Sequence, residues 1–180
     1  MIMRNFIQVN LLFIALFSFT CQTMGQSLSD YKLSADDVIS VSVFNEDDLS
    51  LSKVRVSSVG TISMPLIGQV EVKGLSVSQA EKKIHDLYLG DYLKKPNVTI
   101  TIDEYREFYV TGEVEKPGGF SYREGMTVQR AITLAGGFSE RAARGKIYIV
   151  REKGSREPLQ VNLAALVQPG DVITVEESFF

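Results

Sequence analysis

The chain has little of what most metal sites and catalytic sites are built from. Its 180 residues include one cysteine, Cys21, and one histidine, His85. A structural zinc site takes about four Cys or His ligands, and a catalytic triad joins a histidine to an acid and an activated serine or cysteine. We therefore expect no metal, no cofactor and no catalytic residue, and we interpret His85 as a partly exposed surface side chain.

The motifs of nucleotide binding and of acyl transfer are also missing. The glycines form neither a G-x-x-x-x-G-K-[ST] loop nor a G-x-G-x-x-G loop between a strand and a helix, and no G-x-S-x-G elbow occurs. The acidic clusters 46–48 and 176–177 lack the D-x-D-x-D-G pattern of a calcium loop. We interpret both clusters as solvated loop charges, so the sequence disfavours an enzyme such as a lyase or a hydrolase.

Positive charge is scant and scattered. The formal net charge is −3, and no basic block appears, which argues against nucleic-acid binding and against electrostatic docking on an anionic membrane. Hydrophobic residues make up 44% and charged residues 23%, as in ordinary globular proteins rather than disordered ones. The length suits one domain or two small ones.

No apolar run is long enough to cross a bilayer, which takes about 20 residues. The longest run covers residues 11–19 and follows the single charge of Arg4. A charged start, a short apolar stretch and small residues at 23 and 25 predict a secretory signal peptide over residues 1–25. The alternative is an N-terminal membrane anchor that stays attached.

Cys21 leaves a second alternative open, because a lipidated cysteine would become the mature N-terminus. Residues 18–20 read Ser-Phe-Thr, which fits the consensus before a lipidated cysteine poorly. If the cut instead falls before Gln26, the mature chain has no cysteine and no disulfide, even in an oxidising compartment.

The mature chain divides into two modules that meet near residues 103–107. In the first, period-two alternation predicts strands, and Ser76 with Gln79 predicts a capping box at the start of a helix. In the second, Thr127 is predicted to cap a short helix that Gly136 and Gly137 end. Strands are predicted at 38–43, 54–56, 61–64, 70–72, 98–102, 108–111, 147–150 and 172–175, with a turn at 116–119.

Three short echoes link the modules. Residues 36–41 resemble 170–175, residues 68–71 resemble 112–115, and residues 75–77 resemble 126–128. Few strands with one helix across them predict an α+β fold, each module being a mixed sheet with one helix. A module of this size without disulfides is marginal alone, which favours oligomerisation.

The order of these motifs resembles the outer-membrane polysaccharide export family. The first module is similar to the family's export domain at residues 31–39, 60–68, 72–76 and 96–100. The second is similar to a soluble-ligand-binding β-grasp (SLBB) domain at residues 110–114, 117–118, 134–138 and 169–173. The matched motif positions, to which the resemblance gives structural roles, are Asp37, Gly60, Pro65, Gly68, Gly74, Pro96, Gly112, Pro117, Gly118, Gly136, Gly137, Gly170 and Asp171.

The resemblance implies an export domain at 26–104 and a β-grasp domain at 105–180, both β-grasp-like. It implies a non-enzymatic component of a capsule or exopolysaccharide translocon, a homo-oligomeric ring or gasket in the periplasm at the outer membrane. The implied partners are the polysaccharide chain, an inner-membrane copolymerase and a separate outer-membrane pore protein. The alternative is a soluble periplasmic carbohydrate-binding module without a conduit role.

Two departures from the family pattern stand at turns. Asp36 occupies a position where members usually have glycine, and Val59 one where they usually have aspartate. Because aspartate tolerates a left-handed backbone better than most residues, we expect the fold to be kept.

Five tyrosines are ambiguous, because an aromatic face can stack on a sugar ring or pack in a core. The core is the commoner place for such residues and is our interpretation. The five are Tyr88, Tyr92, Tyr105, Tyr109 and Tyr122.

Overall fold

The computed structural model describes residues 31–152 and 157–178. The predicted signal peptide and Cys21 lie outside these residues. Two separate hydrophobic cores are present, one built from residues between Tyr31 and Ile102 and the other from residues between Phe108 and Val175. We call the parts around them module 1 (residues 31–104) and module 2 (residues 105–178).

Module 1 contains two antiparallel sheets and one long helix. A three-stranded sheet has the order β2-β1-β5, and a hairpin pairs β3 with β4. Its elements are β1 (Val38–Val43), a 3-10 turn (Asp47–Leu49), β2 (Leu51–Arg55), β3 (Thr61–Met64), β4 (Gly68–Glu71), α1 (Val77–Tyr88) and β5 (Val98–Glu104).

Strand β1 is the centre of this sheet, as its alternation predicts. Ile39, Val41 and Val43 are buried in the core while Ser42 faces solvent. The edge strand β2 begins three residues earlier than predicted, because it pairs with β1 from Leu51 onward. Pairing with a central strand therefore extends β2 across the polar residues Ser52 and Lys53 to Leu51.

Helix α1 begins with the predicted capping box. The backbone N–H of Gln79 donates to the Ser76 hydroxyl at 3.2 Å, and the Gln79 amide oxygen accepts from the Ser76 N–H at 2.9 Å. Ala80, Ile84 and Tyr88 form the buried stripe. Leu87, which the periodicity places on the same face, is 44% exposed, because the buried residues are spaced by four and Leu87 lies at the edge of the stripe that they form.

Module 2 carries a five-stranded mixed sheet covered by a short helix. The strand order is β7-β6-β10-β8-β9, with β10 parallel to β6 and antiparallel to β8. The elements are β6 (Phe108–Gly112), β7 (Gly118–Phe120), α2 (Val128–Leu134), β8 (Ala142–Val150), β9 (Leu159–Val161) and β10 (Val172–Glu177). The predicted α+β class is confirmed; mixed pairing occurs in module 2, and the strand pairs described in module 1 are antiparallel.

Two predictions for module 2 were wrong. Gly118 and Gly119 do not form a turn but lie in β7, paired with Val110 and Tyr109. A side chain at Gly119 would come within 3.0 Å of the Tyr109 ring, so glycine serves close packing there. Glu176 and Glu177 are not loop charges: both lie in β10, and Glu177 pairs with Arg141 at 3.0 Å.

Two of the three sequence echoes correspond to equivalent structure. The N–H of Leu33 donates to the carbonyl of Leu75 just before α1, and the N–H of Val167 donates to that of Met126 just before α2, both at 2.9 Å. The third echo is not shared, since Gly68 opens β4 and Gly112 ends β6. The modules thus repeat one arrangement in a different order. Helix α1 follows the turn and strand of residues 36–41 in module 1, whereas α2 precedes the turn and strand of residues 170–175 in module 2.

Within the described ranges, no helix combines the length and the apolar character that crossing a bilayer requires.

Candidate functional site at the module junction

A tight acidic turn leads into the central strand of module 1. In residues 34–37 the carboxylate of Asp37 accepts a hydrogen bond from the Ser34 N–H at 2.8 Å, and the Asp37 N–H faces the Ser34 carbonyl at 3.4 Å. Asp36, between them, has φ +69°. The left-handed position is adopted as expected, and the strain of a non-glycine residue there is borne by the turn.

Asp37 is completely buried, and its carboxylate is surrounded by donors. The Tyr31 hydroxyl lies 2.7 Å from both carboxylate oxygens. Across the junction, Arg106 donates its backbone N–H at 3.0 Å and its guanidinium at 3.4 Å. A buried carboxylate is tolerated when it is paired and fully hydrogen-bonded, which these donors achieve.

Arg106 connects the two modules from the segment 105–107 between β5 and β6, which we call the linker. Its guanidinium, 10% exposed, also pairs with Glu152 of module 2 at 2.6 Å, and the Ser34 hydroxyl reaches the same Glu152 carboxylate at 3.3 Å. Burial lowers the pKa of Arg106, but Tyr31, Asp37 and Glu152 together raise it by a larger amount. The net shift of the pKa is therefore upward, and the guanidinium stays charged. Burial, and next the charge of Asp37, raise the pKa of Tyr31, which stays neutral.

Three tyrosine rings run beside this ion-pair cluster. Tyr105 in the linker packs edge-to-face on Tyr31 of module 1, with ring centroids 5.0 Å apart, and on Tyr122 of module 2 at 5.3 Å. Such contacts are each worth about 1 kcal/mol beyond the apolar area they bury. The linker is therefore held between the modules by both aromatic and ionic contacts.

The same turn geometry recurs before β10. The Gln168 N–H donates to the Asp171 carboxylate at 2.7 Å, the Asp171 N–H donates to the Gln168 carbonyl at 3.1 Å, and Gly170 has φ +84°. The guanidinium of Arg151 pairs with Asp171, which is 1% exposed. Burial raises the pKa of Asp171 to about 6, against the lowering effects of the Gln168 N–H and Arg151.

A cleft of about 1000 Å³ opens at the junction, beside both turns. Its walls include Tyr105, Tyr109 and Tyr122, and its polar lining holds six carboxylates but three guanidinium groups. These charged residues are Asp36, Asp103, Glu104, Glu107, Glu124 and Glu152, with Arg55, Arg106 and Arg123. The size is that of a small-ligand pocket, and the lining suits hydrogen bonding to hydroxyl groups more than burial of an apolar ligand.

The family-motif positions are dispersed, and a few of them meet at the junction. Asp37, Gly170 and Asp171 lie there, while Gly118 lies in β7 and Pro96 is buried before β5. The glycines with positive φ among them are Gly60, Gly68, Gly74, Gly112, Gly136, Gly137 and Gly170. Pro65 follows β3, and Pro117 precedes β7. Of the motif positions, Gly170 lines the cleft, and most of the others lie in turns or at the ends of strands and helices.

The tyrosines divide into three kinds. Tyr88 belongs to the core of module 1, as interpreted. Tyr105, Tyr109 and Tyr122 instead line the cleft, and Tyr92 is 48% exposed. The core interpretation holds in part for Tyr122, which also packs against the core of module 2. It was wrong for Tyr105 and Tyr109, which lie where the two modules meet, and for Tyr92, which packs on Tyr88 at the surface of module 1.

The important junction residues that sequence reasoning missed are Tyr31, Arg106 and Glu152. A cation in the short linker between two predicted modules was the available signal for Arg106. His85 lies on α1, partly exposed as predicted, 3.0 Å from Asp86. Among the described residues, no group of three or more His, Cys, Asp and Glu side chains is arranged to hold a metal ion.

Comparison with known proteins gives two consecutive family matches. Residues 25–103 match the model of the polysaccharide biosynthesis/export protein, and residues 108–160 match that of the SLBB domain. The exopolysaccharide production protein ExoF of Rhizobium meliloti (strain 1021) is 30% identical over 93 residues, which are 51% of this chain and 22% of that protein. The chain thus spans about a fifth of the relative's length. Since the two matches stand in tandem, one in each module and in the order that the sequence motifs predict, the chain belongs to the polysaccharide biosynthesis/export protein family.

Proposed function

We propose that this protein is a non-enzymatic component of a capsule or exopolysaccharide export translocon. The observation that carries the proposal is the tandem match, with an export module followed directly by an SLBB module. The named relative, by its title, takes part in exopolysaccharide production. A role in polysaccharide export follows from the family; the assembly and the location below are further parts of the proposal.

In this proposal the segment 1–25 is a signal peptide that is removed, and the protein acts in the periplasm at the outer membrane; the alternative is that a lipidated Cys21 becomes the mature N-terminus and anchors the protein. The mature chain consists of two functional domains, an export domain at 26–104 and an SLBB domain at 105–180. Several copies form a ring or gasket for the polymer and cooperate with an inner-membrane copolymerase and a separate outer-membrane pore. Two modules held together by a buried ion-pair cluster would suit such a subunit, because a ring needs subunits of constant shape.

Deletion of the gene in the native cells tests the role. We expect polymer outside the cells to fall sharply while lipid-linked or periplasmic polymer persists, and export to return with the wild-type gene. Unchanged export in the deletion strain would contradict the proposal. Loss of synthesis without accumulation inside would point to an enzyme instead.

The second candidate is a soluble periplasmic carbohydrate-binding module without a conduit role. The junction cleft favours it, since one subunit carries the whole cleft. Native mass spectrometry and cross-linking in cells separate the two candidates. A closed oligomer supports the ring, and a monomer at high concentration that binds sugar supports the module.

A further inference from the structure

Asp36 stands out in the junction cleft because its backbone conformation disfavours any side chain. It has φ +69°, and its side chain is exposed. The other non-glycine residues with positive φ are Asn45, Lys53 and Leu66 in the described ranges, and none of them lines the cleft. Strained residues often mark functional positions, provided that a second observation supports the assignment.

The equivalent turn of module 2 supplies that observation. There the same position is Gly170, where a side chain would collide with the Glu152 carboxylate and come 2.9 Å from Arg106 Nε. With glycine at this position, the turn still makes the hydrogen bond from the Gln168 N–H to the Asp171 carboxylate, so the turn itself requires no side chain there. A side chain at Asp36 therefore adds nothing to the turn that glycine would not give.

The hydrogen bonds of Asp36 are made by its backbone. Its N–H donates to the Val56 carbonyl at 3.1 Å, and its carbonyl accepts from the Arg55 guanidinium at 3.0 Å. Among the described residues, no hydrogen bond or ion pair to the Asp36 carboxylate is seen. Two charged acceptor oxygens thus face the cleft, ready for a donor from outside the protein.

The charges around Asp36 indicate which ligand fits. Carboxylates outnumber guanidinium groups by six to three in the lining, and Arg106 is already engaged with Asp37 and Glu152. An anionic chain would be repelled by this lining, whereas sugar hydroxyls donate hydrogen bonds to carboxylates. Tyr109, 47% exposed, adds an aromatic surface to the cleft.

We propose that the junction cleft binds an uncharged segment of polysaccharide and that Asp36 accepts hydrogen bonds from its hydroxyl groups. The inference rests on the proposed function and adds to it a contact site, a preferred class of sugar and a specificity residue.

The test is calorimetric titration of the protein, purified from its cells, with short neutral oligosaccharides (glucan, galactan and mannan) and with oligogalacturonate as the anionic probe. We expect at least one neutral probe to bind, and oligogalacturonate to bind at least about tenfold more weakly at low salt. Asp36→Gly should weaken the neutral complex about tenfold, the effect of losing one hydrogen bond to a charged group. Its melting temperature should not fall, because glycine relieves the left-handed backbone.

Leu66→Gly is the matched control, since Leu66 has φ +64° and lies in the β3–β4 hairpin away from the cleft. It should leave the affinity unchanged while it relieves the same kind of backbone conformation. The proposal is overturned if no neutral probe binds, if oligogalacturonate binds as tightly as the neutral probes, or if Asp36→Gly binds like the wild type.

Failure of this inference can be told apart from failure of the proposed function. If deletion of the gene stops export and Asp36→Gly binds sugar like the wild type, the export role stands and the cleft assignment is wrong. If deletion leaves export intact, the proposed function is wrong whatever the titrations show.

Discussion

The two acidic turns differ in how their aspartates are stabilised. Both carry the same internal hydrogen bond and lead into the central strand of a module, and both aspartates are buried. Asp37 is held by Tyr31, Ser34 and Arg106, which belong to both modules. Asp171 is held by Gln168 and by Arg151, both within module 2.

The acidic turn therefore has a different structural role in each module. Around Asp171 it closes a loop within one module, where burial raises the pKa of the carboxyl by more than the Gln168 N–H, Arg151 and Arg106 lower it. Around Asp37 it also joins the modules, since Arg106 comes from the linker and Glu152 from module 2. The predictions below test how far the two turns differ.

Removing the carboxylate at each turn should give the largest contrast. Asp37→Ala leaves Arg106 buried without one of its partners and frees Tyr31 and Ser34, so we expect a loss of about 3–5 kcal/mol in the free energy of unfolding. Asp171→Ala should cost about 2 kcal/mol, because Arg151 is 27% exposed and water can replace its partner. Urea denaturation measures both. Equal losses would show that the junction adds nothing to Asp37.

Exchanging the third residue between the turns is the next test. Gly170→Asp places a side chain against Glu152 and Arg106 at φ +84°, and we expect a loss of about 2–3 kcal/mol. Asp36→Gly should instead stabilise the protein by up to about 1 kcal/mol. Gly68→Ala is the control, since its φ is +72° with no atom within 4 Å of the added Cβ; it should cost about 1 kcal/mol. A Gly170→Asp variant no worse than this control would remove the steric argument.

The pH dependence of stability should reveal the buried carboxyl of Asp171. The pKa of Asp171 is about 6 in the folded protein against 3.8 for the free group, so the folded state holds this proton more tightly. The resulting stabilisation is complete below about pH 4 and is lost as the pH rises through 6. Wild type should therefore gain about 2 kcal/mol from pH 7 to 4.5 relative to Asp171→Asn, measured by denaturation at each pH. A parallel pH profile in the variant would contradict this assignment.

The helix caps should show the smallest difference between the modules. Ser76 has a reciprocal capping box, whereas Thr127 accepts one bond of 3.4 Å from the Arg130 N–H. Ser76→Ala should cost about 1 kcal/mol and Thr127→Ala about half as much. Ser78→Ala, an exposed position in the first turn of α1, serves as the control. Thermal melts of all three variants provide the comparison, and a larger loss for Thr127→Ala would reverse our ranking.

Much of the fold could be predicted because its signals are local. The alternation of β1, the capping box at Ser76 and the left-handed glycines 136 and 137 depend on neighbours within a few residues. Strands β7 and β9 could not be predicted from the sequence. Gly118 and Gly119 form part of a strand because they pair with β6, and the short segment 159–161 does so because it pairs with β8. The sequences of these two strands, three residues each, are too short to show the alternation that predicts a strand.

The candidate site was less predictable than the fold. Asp37, Gly170 and Asp171 were identified as motif positions, but the cleft also needs Tyr105 and Arg106, which lie in the linker. A linker side chain has no periodicity to reveal its partners. Its role depends on the distance between elements that are far apart in the chain.

By itself the sequence determined the family, the α+β class, the helices with their caps and the repeated acidic turn, because these depend on short-range hydrogen bonds and on apolar spacing. The tertiary structure alone decided that Arg106 joins Asp37 to Glu152, that the tyrosines line a cleft and that Asp36 faces it. The physical reason is that burial and pairing of charges depend on contacts between residues up to 118 positions apart, such as Ser34 and Glu152, and no local pattern records such contacts.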